Sequence, residues 1–155
     1  MTVLTRYLTY VLLIAFVLTL SAGCRTLKYK MGIATTVDAA EPGTPEATIQ
    51  AALAAAMQLD EEVAWGQFRQ LLHSNEIKSP QGEREWRTMR WPRMRRQVQL
   101  FVVDPGKASY KVLNERTLDD GNIEFYLQNS QSDLPTPCTV KKDTDGAWRI
   151  TRCSL

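Results

Sequence analysis

The chain is poor in the residue types from which most catalytic and metal centres are built. It has one histidine, His73, and three cysteines among 155 residues. The sequence contains no Cys/His cluster with metal-ligand spacing, no glycine-rich phosphate loop and no Gly-x-Ser-x-Gly motif. These absences exclude the common sequence signatures of zinc sites, nucleotide-binding loops and serine hydrolases, so we expect no metal and no cofactor.

An excess of one charge is also lacking. The 19 basic residues nearly balance the 17 acidic ones, whereas a nucleic-acid-binding domain usually carries a marked positive excess. We therefore expect no nucleic-acid partner.

Long hydrophobic runs are confined to the amino terminus. Arg6 precedes an uncharged run over residues 7–23 that ends in small residues, which is typical of a secretory signal peptide. The run is shorter than the roughly 20 residues that a spanning helix needs. It therefore predicts a cleaved signal over residues 1–23 rather than a permanent span.

Ser21, Ala22 and Gly23 lead directly into Cys24, and this tetrapeptide resembles the lipobox of bacterial lipoproteins. The resemblance implies cleavage before Cys24, a diacylglyceryl group on its sulfur and acylation, for example with palmitate, of the new amino terminus. The position at which the motif prefers Leu is Ser21 here. An ordinary secreted protein, or an uncleaved anchor with an incidental cysteine, is the alternative interpretation.

The resemblance also implies a location. The residue after the cysteine is Arg25, and in enterobacterial lipoproteins a non-acidic residue there allows export to the outer membrane. We therefore expect a cell-envelope protein held on the periplasmic face of a membrane, with an envelope protein or anionic lipid as its partner.

Residues 24–43 begin with the cysteine that the resemblance implies is lipidated. The rest of this segment has no sustained hydrophobic period and ends in Glu-Pro-Gly, which predicts a flexible tether.

Apart from Cys24, the cysteines are Cys138 and Cys153. An even remainder in an oxidising compartment predicts a disulfide, and two free buried thiols are the alternative.

The final hairpin has two competing registers. A two-residue turn at residues 145–146 places the two cysteines directly opposite each other. A three-residue loop pairs Val140 with Ile150, which suits the core face better but offsets the cysteines by one residue. A bulge near the strand end would reconcile the two registers.

Residues 44–155 predict one α+β domain. Thr44, Asp60 and Ser79 each stand at a helix start, two of them followed by proline, and a kink or break is expected before Pro92. The pattern over residues 91–103 fits both a helix and a strand, and we favour a helix.

Alternating segments after residue 108 predict a four-stranded antiparallel meander. The expected fold is three or four helices packed on this sheet.

Three segments of this domain resemble the small lipoprotein branch of the nuclear-transport-factor-2-like superfamily. They are Thr44-Pro45-Glu46, residues 60–68 with their acidic start and Ala-Trp pair, and the closing Gly-x-Trp-x-Ile of residues 146–150. The resemblance implies a curved sheet wrapped on the helices as a cone with an apolar pocket. It also admits a cyclase-like or isomerase-like enzyme with Asp, His or Tyr inside the cone. His73 is predicted instead at the frayed end of the second helix, and we name no catalytic residue.

The sharpest feature of the domain is a basic stretch with tryptophans. It predicts an anion-binding surface, because arginine forks bind phosphate and tryptophan favours membrane interfaces. The alternative is a solvated helix with paired arginines and buried tryptophans. The candidate residues are Arg84, Arg87, Arg90, Arg93, Arg95, Arg96 and Trp91.

Three hypotheses follow from the sequence. The first and preferred is a lipid-anchored envelope protein with a non-catalytic binding or scaffolding domain. The second is a small-molecule pocket enzyme of the cyclase or isomerase type, and the third is an anionic-surface binder that uses residues 84–96.

Overall fold

The computed structural model describes residues 33–155. The predicted signal peptide, Cys24 and the first part of the predicted tether lie outside the described residues. Residues Ala34–Leu155 form one unit, so the folded domain begins about ten residues before the predicted boundary at residue 44.

The helices occupy the first part of the domain. They are α1 (Pro45–Ala56), α2 (Glu61–Arg69), the single turn α3 (Ser74–Ile77), α4 (Pro80–Glu85) and α5 (Trp91–Gln97). The three predicted helix starts are confirmed. The side chains of Thr44, Asp60 and Ser79 accept hydrogen bonds from backbone N–H groups of the first turns of α1, α2 and α4, which satisfies donors that have no partner inside the helix.

A π-helical turn, Trp86–Arg90, joins α4 to α5 without a break. The Trp91 N–H donates to the carbonyl of Trp86, five residues earlier. Pro92 has no N–H, and in a regular α-helix its ring would press on the carbonyl of residue 88. The wider turn accommodates the proline, so the break expected before Pro92 is absent and the helical path continues through a π-bulge.

The helical path ends in a 3₁₀ turn, Val98–Leu100, and the chain then enters strand β2, Val102–Asp104. The helix predicted over residues 91–103 is therefore correct in its first part and wrong at residues 102 and 103. The hydrophobic pattern of this short segment fits both the helical and the strand period, so its neighbours determine its secondary structure. Here β3 provides an edge with which residues 102–104 pair as a strand.

The sheet is antiparallel, curved and open, with six strands rather than the predicted four. A meander of β3 (Ser109–Thr117), β4 (Ile123–Asn129), β5 (Ser132–Lys142) and β6 (Trp148–Cys153) forms its body. The helices followed by this sheet make an α+β domain, which agrees with the predicted class.

Two short strands extend the meander at β3. β1 (Thr35–Val37) and β2 both pair with Tyr110, so they lie on opposite edges of β3. The assignment of residues 24–43 to a flexible tether is therefore wrong at β1. The side chain of Gln50 also holds the next segment, since it accepts from the Ala40 N–H (2.9 Å) and donates to the Asp38 carbonyl (2.9 Å).

The outer edge of β6 is covered by the chain between α2 and α3. The His73 N–H donates to the Ile150 carbonyl (2.9 Å), and the Ile150 N–H donates to the Leu71 carbonyl (2.7 Å). His73 is 6% exposed, and its Nδ1 accepts from the Asn75 N–H as the cap of α3. His73 is therefore a buried cap, which corrects the expectation of a frayed helix end.

The core lies between the concave face of the sheet and the helices. α1 packs on β5 and β6, where the Thr48 hydroxyl donates to the Trp148 carbonyl (3.2 Å). The Tyr110 hydroxyl donates to the Glu46 carbonyl (3.0 Å) and so joins β3 to the start of α1. The fully covered side chains of this core include Leu53, Phe68, Tyr110, Phe125, Leu127 and Val140.

Candidate functional site

The basic stretch does not present one continuous surface. It covers the end of α4, the π-helical turn and α5, and its arginines point to different surroundings. Three of its six arginines, Arg87, Arg90 and Arg95, have hydrogen-bonding or ion-pair partners on the protein.

The tryptophans of this stretch lie in the core. Trp86 is 2% exposed and Trp91 is 1% exposed. In an α-helix a separation of five residues turns the side chains far apart, but a π-helical turn brings them closer to one face. Both rings contact Phe68, with centroid distances of 5.7 Å for Trp86 and 4.3 Å for Trp91. Trp91, which we predicted as part of the anion-binding surface, is thus a core residue that a membrane interface cannot reach.

Two arginines of the stretch are tied to other elements. Arg87 donates to both carboxylate oxygens of Glu62 on α2, at 2.7 and 2.9 Å. Arg95 donates to the carbonyls of Ala56, Gln58 and Leu59, at the end of α1 where carbonyl groups have no helical partner. These two residues connect helices and are not free to hold an external anion.

Arg90 stands at the border between the core and a surface cleft. Its guanidinium lies 4.9 Å from the ring centroid of Trp86 and pairs with Glu85 at 2.6 Å. The carboxylate of Glu76 is 3.9 Å away and also accepts from the indole N–H of Trp86 at 3.1 Å. These contacts hold Arg90 in one place and offset the charge of Glu76.

The cleft beside Arg90 has a volume of about 520 Å³. It runs between the helical stretch and the end of β6, and we call it the arginine cleft. Three guanidinium groups and one carboxylate are among its lining groups. It is lined by Glu76, Arg90, Arg93, Thr151, Arg152, Cys153, Ser154 and Leu155.

The arginine cleft thus brings two of the predicted residues, Arg90 and Arg93, together with one that we did not predict. Arg152 lies on β6, some sixty residues away in sequence, next to Cys153. The only feature of the sequence that could have indicated Arg152 is its position next to Cys153, because a predicted disulfide fixes the backbone beside it. Arg84 and Arg96 are exposed and do not line this cleft.

Cys138 and Cys153 lie directly opposite each other on β5 and β6, with 4.1 Å between their Cα atoms. Their sulfur atoms are within disulfide distance. The backbone of Ser154 continues this contact, because its N–H donates to the Pro137 carbonyl at 3.1 Å. The cysteine pair therefore anchors the strand end that forms one wall of the arginine cleft.

A second polar cluster surrounds Asp143 at the turn between β5 and β6. Its carboxylate accepts from the Ser74 hydroxyl (2.7 Å), the Ser74 N–H (2.8 Å) and the Thr144 N–H (2.8 Å). These bonds, the Ser74 hydroxyl first among them, lower the pKa of Asp143 to about 2 although burial opposes the shift. The Nε2 of His73 is 3.8 Å from this carboxylate. Because Ser74 donates to Asp143 and not to His73, the cluster lacks the geometry of a hydrolytic triad.

The interior that a cone-shaped pocket would occupy is filled by side chains. Phe125 and Leu127 lie two residues apart on β4, and both side chains are fully covered. Trp148 is only half-buried near the end of the sheet, with the Lys142 ammonium 5.3 Å from the centre of its ring.

The remaining expectations concern the anchor and metal binding. Cys24, the predicted lipidation site, lies outside the described residues. Within residues 33–155 no helix combines the length and the apolar character needed to cross a bilayer, and no group of three or more metal-type side chains converges. Comparison of the chain with protein families, curated proteins and solved structures finds no match.

Proposed function

We propose that this chain is a lipid-anchored cell-envelope protein whose folded domain binds a partner or ligand without catalysing a reaction. The observation that carries the anchor is the placement of Cys24 directly after the small residues that close the hydrophobic run. A thioether-linked diacylglyceryl group with one further acyl chain gives stable membrane attachment, because each buried CH₂ contributes about 0.8 kcal/mol.

The start of the folded domain limits how far the domain can stand from the lipid. Eleven Cα–Cα steps separate Cys24 from Thr35, the first residue of β1. A fully extended chain of that length spans at most about 40 Å. The domain would therefore work close to the membrane surface, on the periplasmic face of the outer membrane in our proposal.

The filled interior supports a binding role over a catalytic one. A pocket enzyme must hold a general acid or base within reach of its substrate in a cavity. Here fully covered Phe125 and Leu127 occupy the space between the sheet and the helices. His73 is engaged as a helix cap. The cyclase or isomerase hypothesis has no comparable support.

The order of helices followed by a curved, open antiparallel sheet supports placing the domain among the nuclear-transport-factor-2-like folds. Within that proposal, the domain is a member whose cone is closed by its own side chains. Its ligand surface is then on the outside, and the arginine cleft is a polar site that the helical stretch and β6 build together.

Fractionation of cells that express the full chain tests the proposed anchor. The wild type is expected in the membrane fraction, resistant to extraction with high salt and released by detergent. Cys24→Ser should move to the soluble periplasmic fraction or remain as an uncleaved precursor. The double variant Cys138→Ser/Cys153→Ser is the matched control, since it replaces the other two cysteines but keeps Cys24. Unchanged membrane attachment of mature-sized Cys24→Ser would contradict the proposal.

A further inference from the structure

We propose that the arginine cleft is a binding site for a phosphate group, held between Arg93 of α5 and Arg152 of β6. The ligand class is a phosphate monoester, supplied either by a lipid headgroup or by a small soluble molecule. The inference rests on the proposed binding function in that it names the ligand chemistry of the domain.

Arg93 and Arg152 differ from most other arginines of the domain because their guanidinium groups have no partner among residues 33–155. Arg69, Arg87, Arg90, Arg116 and Arg149 each have a carboxylate partner, and Arg95 is bound to carbonyl groups. In the part of the chain that the structure describes, no acidic or hydrogen-bonding partner is found for the guanidinium groups of Arg84, Arg93, Arg96 or Arg152. Arg93 and Arg152 belong to this last group and line the same cleft.

Both side chains start from rigid positions. Arg93 lies one residue before Met94 and two after Trp91, and both of those side chains are almost fully covered. Arg152 pairs across the sheet with Thr139, beside the Cys138–Cys153 pair. Because the backbone at both positions is already fixed, only the two side chains need to become ordered when a ligand binds. This lowers the entropic cost of binding.

The chemistry of the cleft suits phosphate. A guanidinium presents a planar fork of donors that matches two phosphate oxygens, and two forks from opposite walls match a dianion. The Ser154 side chain, also in the cleft, supplies a hydroxyl donor. The cleft volume of about 520 Å³ lies in the range of small-molecule sites.

The one acidic side chain of the cleft, Glu76, does not cancel this arrangement. It accepts the indole N–H of Trp86 and lies 3.9 Å from Arg90, so its charge is offset by groups already in place. Leu155, which is 1% exposed, adds an apolar wall. The cleft would therefore favour a phosphate attached to an organic group over a highly charged polyphosphate.

The test uses the full lipidated chain in a maltoside detergent, which carries no phosphate of its own. Binding of inorganic phosphate and of dihexanoyl phosphatidic acid is measured by calorimetric titration, with potassium chloride at matched ionic strength as the blank. The cleft variant is Arg93→Gln/Arg152→Gln. The control is Arg84→Gln/Arg96→Gln, which removes the same charge from exposed arginines outside the cleft.

We expect saturable binding that the cleft variant weakens by about tenfold or more, since charge-assisted hydrogen bonds are lost. The control should change it by less than about twofold, because these exposed side chains do not line the cleft and their charges are screened by salt. Arg152→Lys, which keeps the charge but loses the fork, should also weaken binding. Phosphatidic acid binding far more tightly than inorganic phosphate assigns the site to a lipid headgroup, and equal affinities assign it to a soluble phosphate.

Absence of saturable binding of either probe, or equal loss in the cleft and control variants, would overturn the proposal. Circular dichroism of each variant verifies that the fold is retained. Cys24→Ser should bind phosphate with wild-type affinity, so a failure of the proposed anchor and a failure of the proposed phosphate site give different results.

Discussion

Cys138 on β5 and Cys153 on β6 lie directly opposite each other because β6 contains one extra residue between these cysteines and the turn. Near the turn, Val140 pairs with Ile150, while farther along Thr139 pairs with Arg152. Thr151 is the extra residue, and the bulge lets both Ile150 and Cys153 face the side of the sheet that Val140 and Cys138 occupy. The core register and the cysteine register, which compete in the sequence, are both realised.

This arrangement predicts a stabilising disulfide. The bond would close a loop of 15 residues, for which the chain-entropy model gives about 3 kcal/mol. Cys153→Ser should therefore lower the free energy of unfolding by about that amount, measured by urea denaturation without reductant. Cys24→Ser is the control and should unfold like the wild type. Equal stability of Cys153→Ser and wild type under oxidising conditions would show that the thiols are free.

The two buried tryptophans predict a difference between two similar substitutions. Trp86 donates its indole N–H to Glu76, whereas the indole nitrogen of Trp91 is buried without a partner among the described residues. Trp86→Phe and Trp91→Phe remove the same atoms, but only Trp86→Phe leaves a carboxylate without its donor. Trp86→Phe should cost about 1–3 kcal/mol more than Trp91→Phe in urea unfolding. A larger cost for Trp91→Phe would contradict the assigned contacts.

Asp143 predicts a pH-dependent contribution to stability. Its pKa is lowered to about 2 from an ordinary 3.8 by hydrogen bonds led by the Ser74 hydroxyl. A lowered pKa in the folded state stabilises the fold above the unfolded value, and this contribution disappears as the pH falls from about 4 towards 2.

Asp143→Asn should therefore lower the free energy of unfolding by about 2 kcal/mol at pH 7, and the gap to the wild type should close between about pH 4 and pH 2. Urea denaturation at several pH values measures this gap. Asp133→Asn, at an exposed position, should leave the profile unchanged. A gap that stays constant down to pH 2 would refute the role of the Asp143 charge.

Neighbouring arginines of α5 should differ in their effect on stability. Arg95 donates to carbonyls at the end of α1, while Arg96 is exposed. Arg95→Met should lower the melting temperature, by an amount that corresponds to about 1 kcal/mol or more, and Arg96→Met should have little effect. Thermal unfolding followed by circular dichroism compares them directly, and equal melting temperatures would mean that Arg95 does not stabilise the end of α1.

Sequence patterns predicted the parts of the fold that are governed by local chemistry. Thr44, Asp60 and Ser79 cap helices because a side-chain oxygen before a helix satisfies free N–H groups wherever it occurs. The turn at residues 143–147 likewise depends on Gly146, whose φ of 80° few other residues adopt readily.

Features that depend on distant partners were missed. β1 has only three residues, too few for a periodic signal, and exists because β3 offers it an edge. Arg93 and Arg152 meet in one cleft because β6 ends beside α5, a relation that no spacing along the chain contains. The burial of Trp91 agrees with the alternative interpretation of the basic stretch, and it follows from the π-helical turn Trp86–Arg90, which alters the phase of the helix before Pro92.

The most direct test of the proposed anchor is the mass of the amino-terminal peptide of the protein isolated from cells. We predict that the mature chain begins at Cys24 and that its first peptide carries a diacylglyceryl group, with a further acyl chain on the amino terminus. A chain that begins elsewhere, or a Cys24 peptide with an unmodified thiol, would contradict the account.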